Sequence, residues 1–289
     1  MRKSHLMTYI FLLPAALVFL VLTVYPLFYA VITSFFHLDF LRGESSFVGL
    51  ENYRKLFLHD VFWISLKNTF IFVGVAVFFE VLLGTALALF FNANIKGVKF
   101  FRTIILLPML LPPITVALTW KMMYDYDFGV LNYLIGLAGF ERVEWLSSYQ
   151  IALYSIIITD IWQWTPFVFL IILASLQAIP EDMYEAARVF GANSVQCLWY
   201  ITLPLLKPAI LLVLLLRTID TFQVFEKLYV LTGGGPGNST ETITFYIYRY
   251  GFRYFETGYA TAATIVLVFL IILFSIFYLR RVLKTTSYN

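Results

Sequence analysis

Residues 181–204 read EDMYEAARVFGANSVQCLWYITLP, an amphipathic stretch between two long apolar runs, about 150–178 before it and 205–231 after it. Glu181 and Asp182 open it and good helix formers follow, which suits the partial positive charge of a helix N-terminus. Gly191 then breaks the helix. A second short amphipathic stretch runs from Ser194 to Tyr200, and Pro204 is expected to begin the next long helix, where its missing N–H is not needed. The stretch predicts a short helix, a turn and a second short helix, exposed and shaped to insert into a partner.

Outward from this loop the chain is a series of apolar runs long enough to cross a bilayer, for which about 20 residues suffice. The first, from Leu6 to Phe36, carries no charge, is too long for a signal-peptide core and lacks a small-residue cleavage site before polar sequence. The second runs from about Asn68 to Asn94 with Glu80 its only charge, and the third from about Thr103 to Trp120. The fourth, from about Gln150 to Ala178, is interrupted only by Asp160. The fifth, Leu205 to Leu231, holds Arg217, Asp220, Glu226 and Lys227, and the sixth, Thr257 to Leu279, is uncharged. Composition agrees, with 61% hydrophobic and only 13% charged residues against about 25% charged in soluble proteins. The expectation is an all-α polytopic membrane protein of six transmembrane helices, a single transmembrane domain over 1–289 with a connecting loop at 178–204.

A net charge of +3 is too small to suggest nucleic acid, so the position of each charge carries the information. Arg2, Lys3, Lys96, Lys99, Arg102, Arg188, Lys207, Arg280, Arg281 and Lys284 fall at the termini and in the even loops. Arg42, Arg54, Lys55, Arg142, Arg249 and Arg253 fall in the others, diluted by Asp39, Glu44, Glu51, Asp60, Asp125, Asp127, Glu141 and Glu144. Both termini and the 178–204 loop are therefore expected on the cytoplasmic side of a bacterial cell (inner) membrane. Trp63, Trp120, Tyr124, Tyr126, Trp145 and Tyr149 suit the interfacial belt against membrane lipid. Val48–Phe57 (VGLENYRKLF) has the pattern of a short amphipathic surface helix.

No catalytic or metal-ligating set emerges. Cys197 is the only cysteine, and His5, His37 and His59 have no ligand spacing. The run Gly233-Gly234-Gly235-Pro236-Gly237 with Asn238-Ser239-Thr240 lacks the Lys that a phosphate-binding loop requires. The chain is expected not to be an enzyme and to hold no cofactor, so that any ATP driving it would have to be bound, with its Mg, by another chain. Glu80, in mid-crossing, is expected to make a structural hydrogen bond inside the bundle.

The loop carries a resemblance. Glu185-Ala186-Ala187, Gly191 after three residues, then Ile201, Leu203 and Pro204 after nine resemble the EAA loop of ATP-binding cassette importer permeases at all seven fixed positions. Tyr25-Pro26, Phe47-Val48-Gly49-Leu50-Glu51-Asn52-Tyr53, Leu176-Gln177-Ala178-Ile179-Pro180 and Leu231-Thr232-Gly233-Gly234-Gly235-Pro236-Gly237 are similar to the sugar and glycerol-phosphate branch. The resemblance implies a type I importer permease fold in which these seven residues couple to an ATPase. It also implies a second permease subunit, two ATPase subunits, an extracytoplasmic solute-binding protein and a di- or oligosaccharide substrate, with glycerol 3-phosphate as the alternative.

A solute site is expected between the fourth and fifth crossings. Asp160, Gln163, Trp164 and Phe167 share one helical face, and so do Arg217, Asp220 and Thr221. Arg217 and Asp220 would each cost about 2.5 to 3.5 kcal/mol at the centre of an isolated helix, so their face should meet a polar interior. The resemblance places sugar contacts of the maltose-type permease in the same two helices, and Trp164 and Phe167 are expected to stack on a ring. An Arg217–Asp220 pair that only holds the bundle together is the structural alternative. In another class, Glu80, Asp160, Arg217 and Asp220 would form the relay of an ion-coupled secondary transporter.

Overall fold

The computed structural model describes residues 2–39, 44–92 and 97–286, with side chains over 11–38, 45–92 and 97–281. Arg42 and Lys96, and the side chains of Arg2, Lys3, Asp39, Glu44 and Lys284, lie outside the described residues. Among these residues five helices are long and apolar enough to cross a membrane, and a sixth span is completed if the bent pair Val98–Leu110 and Pro113–Met123 counts as one. The chain divides into two compact units, Met1–Trp63 with Tyr246–Phe269, and Ile64–Phe245 with Leu270–Asn289.

In the first unit the opening span Phe11–Thr33 contains a wide π turn at Leu20–Val24, where the Tyr25 N–H reaches back to Leu20 O. Pro26 follows at once, and its ring and missing N–H are accommodated by the loosened turn. The strands Phe36–Asp39 and Glu44–Phe47 then pair as an antiparallel hairpin, with Phe36 opposite Phe47. The expected amphipathic helix is present as Glu51–Leu58. Its buried Asn52 donates to Ser34 O at 2.8 Å and Phe36 O at 3.0 Å, tying the hairpin to the end of the first span. His59 binds the Tyr246 hydroxyl at 3.1 Å, and Tyr246 in turn binds that of Tyr259.

The second unit is organised around Ala152–Gln177, the most buried of the spans. The Asp60–Phe91 helix approaches it closely at Gly84, where a Cβ would lie 2.6 Å from Val168 Cβ. One apolar cluster gathers Phe72, Ala76, Val116, Trp120, Ile156 and Leu228, and another gathers Ala88, Val168, Phe169, Ile172, Leu206 and Val213.

Two expected crossings are broken. The third bends by 97° at Leu111-Pro112, because Pro112 and Pro113 each restrict the residue before them to extended backbone. The fifth stops at Thr221 and resumes as Glu226–Leu231. Pro204 does not begin a helix. Ser194–Thr221 is continuous, and a π turn at Leu198–Thr202, in which the Leu203 N–H reaches Leu198 O, accommodates the proline as at Pro26. Glu181–Val189 is the first short helix of the 178–204 loop, and Gly191 turns the chain in the left-handed region at φ +84°, where glycine carries no Cβ penalty. Asn193 and Gln196 then form a reciprocal capping box on the second helix.

Candidate solute pathway and coupling loop

On the Asp60–Phe91 helix, Val73, Ala76, Val77 and Glu80 are buried on one stripe, so burial of that face carries the carboxylate inward with its apolar neighbours. There it meets Arg217, whose Nε and Nη2 donate to the two Glu80 oxygens at 2.7 and 2.9 Å. This is the bidentate arrangement that fixes a guanidinium most tightly. Arg217 Nη2 also donates to Asp160 Oδ2 at 3.1 Å, and Nη1 to Asp220 one turn along its own helix. Asp160 takes a second cation, the ammonium of Lys227. Glu80, Asp160, Arg217 and Lys227 are all buried, whereas the Asp220 side chain is 58% exposed. Two charges of each sign thus balance in a water-poor interior, where an unpaired ion would be strongly destabilising.

Beside this cluster lies a cavity of about 210 Å³. Its lining includes Asp160, Trp164, Asp220, Thr221, Glu226 and Lys227. Arg217 stands over the Trp164 ring with Cζ 4.8 Å from the centroid, and Lys227 Nζ lies at 5.9 Å, both within range of cation–π attraction. Phe167 meets Trp164 edge-on with centroids 6.3 Å apart.

Of the seven residues expected at the site, Asp160, Trp164, Asp220 and Thr221 line the cavity, and Arg217 lies behind it, bonded to Asp160 and Asp220. Thr221 Oγ1 donates to Arg217 O at 2.6 Å. Gln163 instead faces the bend of the third crossing, donating to Leu111 O at 3.0 Å, and its Oε1 has no partner among the described residues. Lys227 and Glu226 are the additions. They reach the cavity because the fifth crossing breaks, and a buried lysine in an apolar run was the available signal, since it requires a counter-ion.

In the 178–204 loop, Ala187, Gly191 and Ile201 line a shallow depression of about 320 Å³ with Phe190 and Tyr200. Val189, Phe190 and Tyr200 are 85%, 91% and 79% exposed, an apolar surface that a single chain in water would cover. Glu185 is exposed in the last turns of the first short helix, and Ala186 beside it is also exposed. Leu203 and Pro204 sit where the second short helix enters the span.

The model of the family described as "Binding-protein-dependent transport system inner membrane component" matches residues 80–284. The chain is 40% identical over 270 residues to the trehalose/maltose transport system permease protein MalF of Thermococcus litoralis, covering 93% of this chain and 90% of that one. Among solved structures it resembles a chain of a bacterial importer of the acidic polysaccharide alginate, with TM-score 0.87, 26% identity, and coverage of 98% and 96%. A second structure of a bacterial alginate transporter, in complex with an alginate pentasaccharide-bound periplasmic protein, matches with TM-score 0.84 and 27% identity over 96% of this chain and 93% of that one.

Proposed function

The chain belongs to the family of binding-protein-dependent transport system inner membrane components, and from that premise we propose that it forms half of the pathway of an ATP-driven importer of a neutral di- or oligosaccharide of the trehalose or maltose kind. It is a multi-pass membrane permease of the ATP-binding cassette importer class with the type I permease fold. The whole chain acts as one permease domain beside a second permease. Two ATPase subunits, which hold the ATP and Mg, dock on the 178–204 loop through Glu185, Ala186, Ala187, Gly191, Ile201, Leu203 and Pro204. A binding protein delivers the sugar from the opposite side, and both termini face the cytoplasm.

The observation that carries this reading is the polar cavity beside Asp160 and Trp164, in spans that are otherwise apolar. Carboxylates there accept from sugar hydroxyls, and Trp164 supplies an aromatic face, although the cations occupy one aspect of the indole; Phe167 is not among the lining residues and only backs Trp164 edge-on. Nucleotide binding drives the cycle by favouring one of two arrangements of the permease pair.

The test is reconstitution of the whole importer with Asp160→Ala, Trp164→Ala or Asp220→Asn. Sugar uptake should be lost while the complex still assembles and the loaded binding protein still stimulates ATP hydrolysis. Normal uptake in all three, or loss only through failed assembly, refutes the site.

A further inference from the structure

The two cations of the cluster are already neutralised. Lys227 is held by Asp160, and Arg217 by Glu80, Asp160 and Asp220. Lys121, on the neighbouring Pro113–Met123 helix, directs its ammonium to Val230 O at 2.9 Å. What the cavity presents to an entering solute is acidic. Asp220 keeps its side chain 58% exposed, and Glu226, exposed at the start of the resumed helix, lines the same space. Glu80, Asp160, Asp220 and Glu226 stand against only Arg217 and Lys227, which leaves a formal surplus of two negative charges. An anion arriving here meets like charge, and no unpaired cation lines the cavity to receive it. A hydroxyl donates to either exposed carboxylate without that penalty.

Given the sugar pathway proposed above, we infer that Asp220 and Glu226 make this cavity a charge filter that passes neutral sugars and rejects acidic ones. Asp220 contributes through its free oxygen while its other oxygen holds Arg217. Glu226 is bound to none of the buried charges, and acts on the solute alone.

Saturation-transfer NMR on the purified complex of both permeases and the ATPase subunits, without the binding protein, reads contact of a sugar with the permease itself. The probes are the disaccharide the importer carries, maltose or trehalose, and the same disaccharide with one glucose oxidised to glucuronate. The parent should hold the neutral sugar about tenfold more tightly than the uronate or better. Asp220→Asn combined with Glu226→Gln should narrow that ratio about tenfold, and Glu226→Gln alone, which leaves the Arg217 cluster untouched, about threefold. Equal binding of the two sugars by the parent overturns the filter, as does a ratio that neither variant moves. A parent that contacts neither sugar brings down the pathway reading itself, an outcome distinct from equal binding.

Discussion

Replacing Glu80 by Ala removes two of the four carboxylate hydrogen bonds that hold the Arg217 guanidinium, those of 2.7 and 2.9 Å. Removing one partner of a buried ion pair costs about 3 to 5 kcal/mol, because the other charge stays buried and less well compensated. Asp160 and Asp220 still reach Arg217, so the lower end applies, about 3 kcal/mol. At about 2 to 4 °C per kcal/mol for a chain of this size, the thermal midpoint should fall by about 6 to 12 °C. The assay is the fraction of detergent-purified complex that stays monodisperse on size exclusion after heating. Glu80→Gln keeps one acceptor for the guanidinium and should fall by about half as much. In a double-mutant cycle, Glu80→Ala with Arg217→Met should cost less than the two single losses together, since the second change removes the charge the first one orphaned. A Glu80→Ala complex within about 1 °C of the parent, or strict additivity in the cycle, would refute the claim that this pair ties the Asp60–Phe91 and Ser194–Thr221 helices together.

Gly191→Leu forces a branched side chain into a left-handed backbone at φ +84°, and Glu185→Lys reverses a charge on the exposed short helix. Both should reduce ATP-driven uptake several-fold with membrane insertion intact, measured by transport and by co-purification of the ATPase subunit, and parent-like uptake in both removes the coupling assignment. A cysteine at Lys99 should be shielded from an impermeant thiol reagent applied outside while one at Asn238 reacts, and the opposite pattern inverts the orientation.

The spans were legible because crossing hydrocarbon imposes a composition that no ordinary loop shares, and the ends of the fourth and sixth differ little from the spans Ala152–Gln177 and Thr257–Arg281. The helix–turn–helix pattern of the 178–204 loop was legible because Glu181 and Asp182 mark the start of its first helix and Gly191 its turn, whereas the Asn193–Gln196 capping box came from the structure. The breaks were harder to see, since apolar composition runs straight through Leu111-Pro112 and Phe222–Phe225. At the first, the proline doublet was a usable mark. At the second, Phe222, Gln223, Val224 and Phe225 carry no helix-breaking residue, and only tertiary packing stops the helix there. The pairing of Glu80 with Arg217 joins residues 137 apart in sequence, a relation that one sequence does not encode in any local pattern.

The break in the fifth span also explains how the cluster closes. In an unbroken helix Lys227 would lie about 10 Å beyond Asp220 along the axis, out of reach of an aspartate that Arg217 already binds. By stopping at Thr221 and resuming at Glu226, the chain folds Lys227 back against Asp160, and the buried charges cancel as two acids and two bases. The same turn leaves Glu226 at the cavity with no cation of its own among the described residues. Balance inside and surplus at the surface therefore arise from one backbone feature, and they divide the acids by role. Glu80, which is not among the residues lining the cavity, holds a cation that would otherwise be buried with less compensation, so its loss is felt first as stability, whereas Asp160 also lines the cavity and its loss is felt in uptake as well. Glu226 holds none, so its loss is felt as a change in which solute is accepted, and Asp220, with one oxygen on Arg217 and the other toward the cavity, belongs to both groups.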